Sequence, residues 1–158
     1  MHPVKICLVL IGLLPGLAVR LAGADEVQPT ALTVRVAVYD DAGVSRSLLE
    51  VLAVLDKYPD VACERIKADA VRAGKLAGYD VLIHPGGSGS KQAAAIGPEG
   101  RAHVRRFVEQ GGGYLGVCAG AYLCTSGYDW SLKILDAKTV SPKWERGRAT
   151  LQMELTER

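Results

Sequence analysis

The sequence predicts an α/β fold, a flavodoxin-like three-layer sandwich in which helices cover both faces of a parallel sheet. Short segments rich in valine, leucine and isoleucine alternate with amphipathic helical segments along most of the chain, as parallel α/β sheets require. Glycine-rich turns follow two of the apolar segments, where such sheets place their ligands. The 158 residues are enough for one domain of this kind.

The individual elements follow from local patterns. Apolar segments predict strands at residues 32–39, 61–66, 81–84 and 114–117. Helices are predicted from a capping box at residues 47–50, whose apolar stripe continues towards Pro59, and over residues 69–76 and 98–110. A late hairpin is predicted from two further strands, at residues 130–139 and 149–156.

The stretch from residue 111 to 127 carries the main chemical signal. A short apolar strand leads to Cys118, and a helix of small residues begins at Ala119. The pattern Gly116-x-Cys118-x-Gly120 is that of a nucleophile on a tight strand-to-helix turn, whose neighbours must be nearly without side chains. The free N–H groups of the following helix would favour the thiolate. The alternative is a small core cysteine in a glycine-rich turn.

A second glycine-rich turn, Pro85-Gly86-Gly87-Ser88-Gly89, follows the predicted strand at residues 81–84 and could offer backbone N–H groups to an oxyanion. Together the two turns resemble the class I glutamine-amidotransferase-like superfamily. The resemblance is strongest to the domain family named after the N-terminal part of biotin-protein ligases, which includes exported bacterial proteins. It extends from about residue 32 to the end of the chain.

The resemblance implies amide hydrolysis or transfer through a thioester. Cys118 would attack an amide carbonyl, while the N–H groups of Gly87 and Ala119 would hold the oxyanion. In the superfamily the base is a histidine followed two residues later by glutamate, yet no histidine follows Cys118 here. Three explanations stay open: a truncated gene product, substitution by His84, or absence of catalysis.

Other functions stay open as well. The two turns could hold a small amide or carboxylate ligand without turnover, or the domain could be an extracellular structural module. In a protease-like branch of the superfamily a histidine directly follows the cysteine, and Ala119 at that position counts against it. Biotin ligation is not expected, because the resemblance covers only the N-terminal domain of such ligases.

Several other polar residues have simpler interpretations. Asp40 and Asp41 follow the first strand and are interpreted mainly as loop-capping carboxylates, although they could contact a substrate or orient Cys118. His84 ends a strand, where a hydrogen bond to the backbone is the simpler interpretation. His103 is expected on the flank of a helix.

The N-terminal residues predict a signal peptide at 1–24, with an apolar run followed by Ala22-Gly23-Ala24. We therefore expect a secreted or periplasmic domain over residues 25–158, incomplete at its C-terminus, with an uncovered strand edge that favours a homodimer. Cleavage leaves 17 acidic and as many basic residues, so no nucleic acid or membrane partner is expected. No cysteine or histidine spacing predicts a metal site, and no cofactor motif is present.

Overall fold

The computed structural model describes residues 33–139. Their centre is a parallel sheet with the strand order β2-β1-β3-β4. The strands are β1 (Val34–Tyr39), β2 (Val61–Ile66), β3 (Val81–His84) and β4 (Gly113–Gly116). The helices are α1 (Ser47–Leu55), α2 (Ala68–Arg72), α3 (Gly89–Glu109) and α4 (Ala119–Cys124). The predicted α/β architecture is confirmed.

Two apolar clusters, one on each face of the sheet, make the three layers. Successive strand residues point to opposite faces, so Val36, Val38 and Ile83 pack with Leu48 of α1. The alternate residues pack against the other three helices, in a cluster that includes Ala37, Tyr39, Leu82, Val71, Ile96, Val104, Phe107 and Leu123. Because the strands are parallel, their carboxyl ends meet at one edge of the sheet, where both glycine-rich turns lie.

The start of α1 differs from the prediction, because the capping box does not form. The helix cap is Arg46, whose backbone is already helical (φ −56°, ψ −21°) and whose side chain makes no capping hydrogen bond. Ser47 therefore lies inside the first turn, and its N–H donates to Ser45 Oγ at 3.3 Å. The predicted apolar stripe does face the sheet, because Leu48 and Leu52 pack in the same cluster as Val36, Val38 and Ile83.

Helix α3 begins nine residues before the predicted helix and contains a kink. Gly97 has non-helical angles (φ 64°, ψ −177°), and Pro98 restarts the helix after it. A proline at the first position of a helix costs no hydrogen bond, since an N–H group at that position would have no intrahelical acceptor. Ser88 caps the first half by accepting a hydrogen bond from the Lys91 N–H at 3.4 Å. The loop-like composition of residues 85–89 concealed this early start.

The predicted strand at residues 130–139 is wrong, since this segment forms turns and bends. Its N–H groups are used at the C-terminal end of α4: Leu132 donates to Leu123 O (2.7 Å), and both Ile134 and Leu135 donate to Cys124 O (3.1 and 3.0 Å). These bonds satisfy carbonyls that the short helix leaves unpaired. The second predicted hairpin strand and the signal peptide lie outside the described residues.

Among residues 33–139, no helix has the length and apolar character that crossing a membrane would require.

Candidate active site

Cys118 lies on the tight turn between β4 and α4, residues 116–120, which we call the elbow. Gly116 pairs in register with His84 of the neighbouring strand, and the Val117 N–H continues this pairing by donating to His84 O at 3.0 Å. The chain then turns sharply at Cys118, which has φ 52° and ψ −107°, and α4 begins at Ala119. A positive φ is uncommon for a residue with a side chain and persists only where its surroundings impose it. The thiol-bearing residue is exposed.

Close backbone contacts explain why glycine stands two positions on either side of Cys118. A Cβ on Gly120 would lie 2.0 Å from His84 O, and a Cβ on Gly116 would lie 2.5 Å from the carbonyl carbon of Gly120. Tyr114 Oη donates to Gly120 O at 2.9 Å and fixes the first turn of α4 against the sheet. The elbow spacing is therefore a packing requirement of this turn.

Gly87 lies in the loop after β3 and lines the same cavity as Cys118. It forms an antiparallel bridge pair with Val44. Two hydrogen bonds flank this pair: Ser45 N–H to Gly86 O (2.9 Å) and Ser88 N–H to Gly43 O (2.7 Å). In a pair flanked in this way, the two central residues direct their own N–H groups away from each other. The amide hydrogen of Gly87 is thus directed away from the Val44 segment.

Ala119 supplies the second backbone N–H group at this cavity. It is the first residue of α4, where helices leave their N–H groups without an intrahelical acceptor. Within the described part of the chain, no backbone carbonyl accepts a hydrogen bond from Gly87 or Ala119. Both residues line the same cavity as Cys118, with a volume of about 310 Å³. The structure therefore brings together the three predicted site residues.

Three aromatic residues also line the cavity, and we call them the aromatic wall: Tyr122, Tyr128 and Trp130. Tyr128 stacks on Trp130 with ring centroids 4.6 Å apart and 14° between the planes. Tyr122 meets Tyr128 edge-on at 6.5 Å. Neither this wall nor Ser90, which also lines the cavity, was predicted from the sequence. The aromatic residues that closely follow the elbow were the available signal.

His84 does not belong to this cavity. Its side chain is completely buried and lies between Tyr39 and Tyr114, with ring centroids 4.7 and 5.6 Å away. Burial lowers the pKa of the imidazole to about 4, against a weaker opposing effect of its hydrogen bond to Gln92. It is therefore neutral at pH 7. Substitution of this residue for the missing base is not supported.

Gln92 is the hydrogen-bond partner of His84, rather than the backbone that the sequence analysis expected. His84 Nδ1 and Gln92 Oε1 are 2.9 Å apart, and Gln92 Nε2 donates to Pro85 O at 2.9 Å and to Gly43 O at 3.4 Å. Since the amide nitrogen faces these carbonyls, the amide oxygen faces the ring, and Nδ1 must carry the imidazole proton. This buried network joins the two loops that hold Gly87.

The acidic pair after β1 has a structural role. Asp41 accepts hydrogen bonds from the N–H groups of Ala68 (3.0 Å) and Ala42 (2.8 Å), which lower the pKa of its carboxyl group. Asp40 forms ion pairs with Arg65 and Lys67, both at 3.1 Å. The interpretation as loop-capping carboxylates is confirmed for Asp41.

His103 lies on the flank of α3, as expected. Its Nδ1 is 3.2 Å from Val71 O, and its ring packs against the Cα of Gly74, where a Cβ would lie 3.3 Å away. It connects α3 with α2 and lies outside the cavity of Cys118.

The described chain contains three free cysteines. Burial raises the thiol pKa of Cys63 and of Cys124, and Cys124 Sγ donates to Ala121 O at 3.0 Å. Among residues 33–139 no three histidine, cysteine or acidic side chains lie close enough to hold a metal ion. Of the described thiols, only that of Cys118 is exposed.

The parallel sheet with its strand–cysteine–helix turn defines a glutamine amidotransferase-like module. A family profile described as "Biotin-protein ligase, N terminal" matches residues 34–142. The chain belongs to this family, which is related to the class I glutamine amidotransferase-like fold. Among curated proteins, none matches the chain.

Proposed function

We propose that this domain acts on amides, with Cys118 as the nucleophile. One observation carries the proposal: an exposed cysteine at a strained turn shares a cavity with the backbone N–H groups of Gly87 and Ala119, for which residues 33–139 supply no backbone acceptor. Backbone donors fixed around a nucleophile stabilise the negative charge that develops on a carbonyl oxygen during acyl transfer. The loss of one such donor typically costs about 100- to 1000-fold in rate.

The proposed reaction has two stages. Cys118 Sγ forms a bond to the amide carbonyl carbon, the C–N bond breaks, and the thiol proton ends on the departing amine. Water then cleaves the resulting thioester, which releases the acid and gives one proton of the water to sulfur. Alternatively, another amine attacks the thioester, gives its proton to sulfur and completes a transfer. Splitting one difficult step into two easier ones is the purpose of such a covalent intermediate.

A non-catalytic binding module is the second candidate, and the described cavity also favours it. Among the described residues that line the cavity there is no histidine, carboxylate or lysine, and these side chains are the usual general bases. His84, the histidine considered above as a substitute base, is buried and hydrogen-bonded to Gln92. In this second candidate the same N–H groups would hold an amide or carboxylate ligand without turnover.

A search for the thioester separates the two candidates. The protein would be incubated with a panel of small primary amides, quenched in acid and analysed by intact mass and peptide mapping, with ammonia release followed in parallel. We expect an acyl adduct on Cys118 and ammonia release that Cys118→Ser abolishes, while Cys63→Ser leaves both unchanged. Ligand binding with neither adduct nor ammonia would select the binding module.

We also propose that the domain acts outside the cytoplasm, after removal of residues 1–24. The apolar run and the small residues at Ala22 and Ala24 support this proposal. N-terminal sequencing of protein recovered from the producing cells tests it. A mature chain that begins at Asp25 is expected, and a retained Met1 would contradict it.

A further inference from the structure

We propose that the cavity beside Cys118 accepts an uncharged amide that carries a flat apolar group, and that it excludes free glutamine. This inference rests on the proposed function, because it names the substrate class of that same site. It follows from the residues that line the cavity and from their arrangement around the elbow.

The first observation is the absence of charge. The cavity is lined by glycine and alanine backbone, one serine, one cysteine and three aromatic residues, and these described lining residues include no aspartate, glutamate, lysine, arginine or histidine. Free glutamine carries an ammonium and a carboxylate group, which would lose hydration on entry. An ionised group removed from water without a partner is strongly disfavoured. A neutral amide avoids this cost.

The second observation is the aromatic wall. Tyr122, Tyr128 and Trp130 line the cavity, and the stacked pair Tyr128–Trp130 presents a large and rigid apolar surface. Aromatic rings contact other rings more favourably than their buried area alone would predict. A planar apolar group on the substrate would therefore gain binding free energy that a short aliphatic amide lacks.

The third observation is that the turn at Cys118 and the aromatic wall lie close together. A Cβ on Gly89 would lie 3.0 Å from both Ala119 O and the Trp130 ring, so Gly89 lies between the elbow and the wall. Arg101 Nη1 donates to Asp129 O at 3.0 Å and holds the loop that carries Trp130. The volume of about 310 Å³ is at the small end for ligand sites. It suits one ring and one amide group.

Binding to Cys118→Ser tests this selectivity without turnover. Four probes distinguish the effect of an aromatic ring on binding from the effect of a charged group, and each is titrated by calorimetry: benzamide, 4-carbamoylbenzoate, propanamide and L-glutamine. We expect the dissociation constant of benzamide to be at least about tenfold lower than that of each of the other three. Glutamine that binds as tightly as benzamide would overturn the inference, and so would the absence of binding by all four probes.

Substitutions in the wall locate the effect. In the Cys118→Ser background, Trp130→Ala should weaken benzamide binding about tenfold and leave propanamide unchanged, while Trp130→Phe should retain most of the affinity. Tyr58→Ala is the matched control, because Tyr58 is an exposed aromatic residue outside this cavity. Equal loss for benzamide and propanamide in Trp130→Ala would contradict a specific contact with the ring. If Trp130→Ala does not fold, the probe selectivity of the parent decides.

The outcomes separate this inference from the proposed function. Benzamide selectivity in Cys118→Ser, together with no acylation of the unmodified protein by any amide, would refute the enzyme and leave the substrate class standing as a ligand class. Turnover of glutamine in preference to neutral aromatic amides would support the enzyme and overturn the substrate class.

Discussion

The buried pair His84–Gln92 allows a quantitative test of the network behind Gly87. Gln92 has no exposed surface. Its side-chain oxygen accepts a hydrogen bond from His84 Nδ1, and its side-chain nitrogen donates one to Pro85 O, each with 2.9 Å between the heavy atoms. Gln92→Leu has similar volume and removes these two bonds together with the longer one from Nε2 to Gly43 O (3.4 Å). Each buried polar group left without a partner costs about 1–3 kcal/mol, so the free energy of unfolding should fall by about 3 kcal/mol. Denaturation by urea, followed by circular dichroism, measures this change.

A double-mutant cycle shows whether the loss comes from the hydrogen bond itself. His84→Phe leaves the Gln92 amide oxygen without its partner, whereas the double substitution His84→Phe/Gln92→Leu removes both sides of the bond. Replacement of both partners by apolar groups is much less costly than removal of one. We expect the double variant to be more stable than the sum of the single effects by about 1–3 kcal/mol. Additive effects would refute the hydrogen bond and the tautomer assigned to His84.

Three further predictions concern the elbow and the buried histidine. Limiting iodoacetamide near neutral pH should label Cys118 first, because it is exposed and burial raises the thiol pKa of Cys63 and Cys124; peptide mass spectrometry measures the order. Gly120→Ala should lower the free energy of unfolding by about 3 kcal/mol or more, because its Cβ would lie 2.0 Å from a carbonyl oxygen; denaturation in urea measures the loss. The pKa of His84 in the folded protein (about 4) is below its ordinary value of 6.5, so the unfolded chain binds more protons than the folded one between these pH values. The free energy of unfolding should therefore fall by about 3 kcal/mol as the pH drops from 6.5 to 4. Urea denaturation at several pH values measures this change.

Each of these predictions has a matched control. Cys118→Ser should remove the fast-labelled peptide, and labelling of Cys118 only after denaturation would show that the thiol is structural. Gly78→Ala introduces the same methyl group where no atom lies within 4 Å, so a similar loss there would refute the role of the close contact at Gly120. His84→Phe should remove the dependence of stability on pH in that interval.

The parts of the fold that could be predicted are those in which local sequence determines structure. The strand at residues 61–66 was predicted at its observed bounds, because a short segment of this kind between turn signals is sufficient to indicate where a strand begins and ends. The turn around Cys118 was predictable because its glycines are required by contacts within a few residues of it and with the adjacent strand.

The parts that could not be predicted depend on contacts distant in sequence. The residues at 130–139 have the composition of a strand, but their N–H groups pair with the end of α4. His84 looked like a strand-end residue, and only the packing of α3 shows that its partner is Gln92. The aromatic residues after Cys118 are visible in the sequence, but the contact of the Trp130 ring with Gly89, which brings the ring to the cavity, joins residues 41 positions apart.

The parallel pairing of the strands has a consequence for the order of folding. Every strand contact in the described sheet joins segments separated by a crossover, so each requires the closure of a long loop before it contributes stability. The turn at Cys118 needs β4 beside β3, since its geometry depends on the His84 carbonyl. In a partly folded chain Cys118 therefore lacks this backbone geometry. The proposed nucleophile would be in place only after β4 has docked beside β3, later than the earlier, less ordered states of the polypeptide.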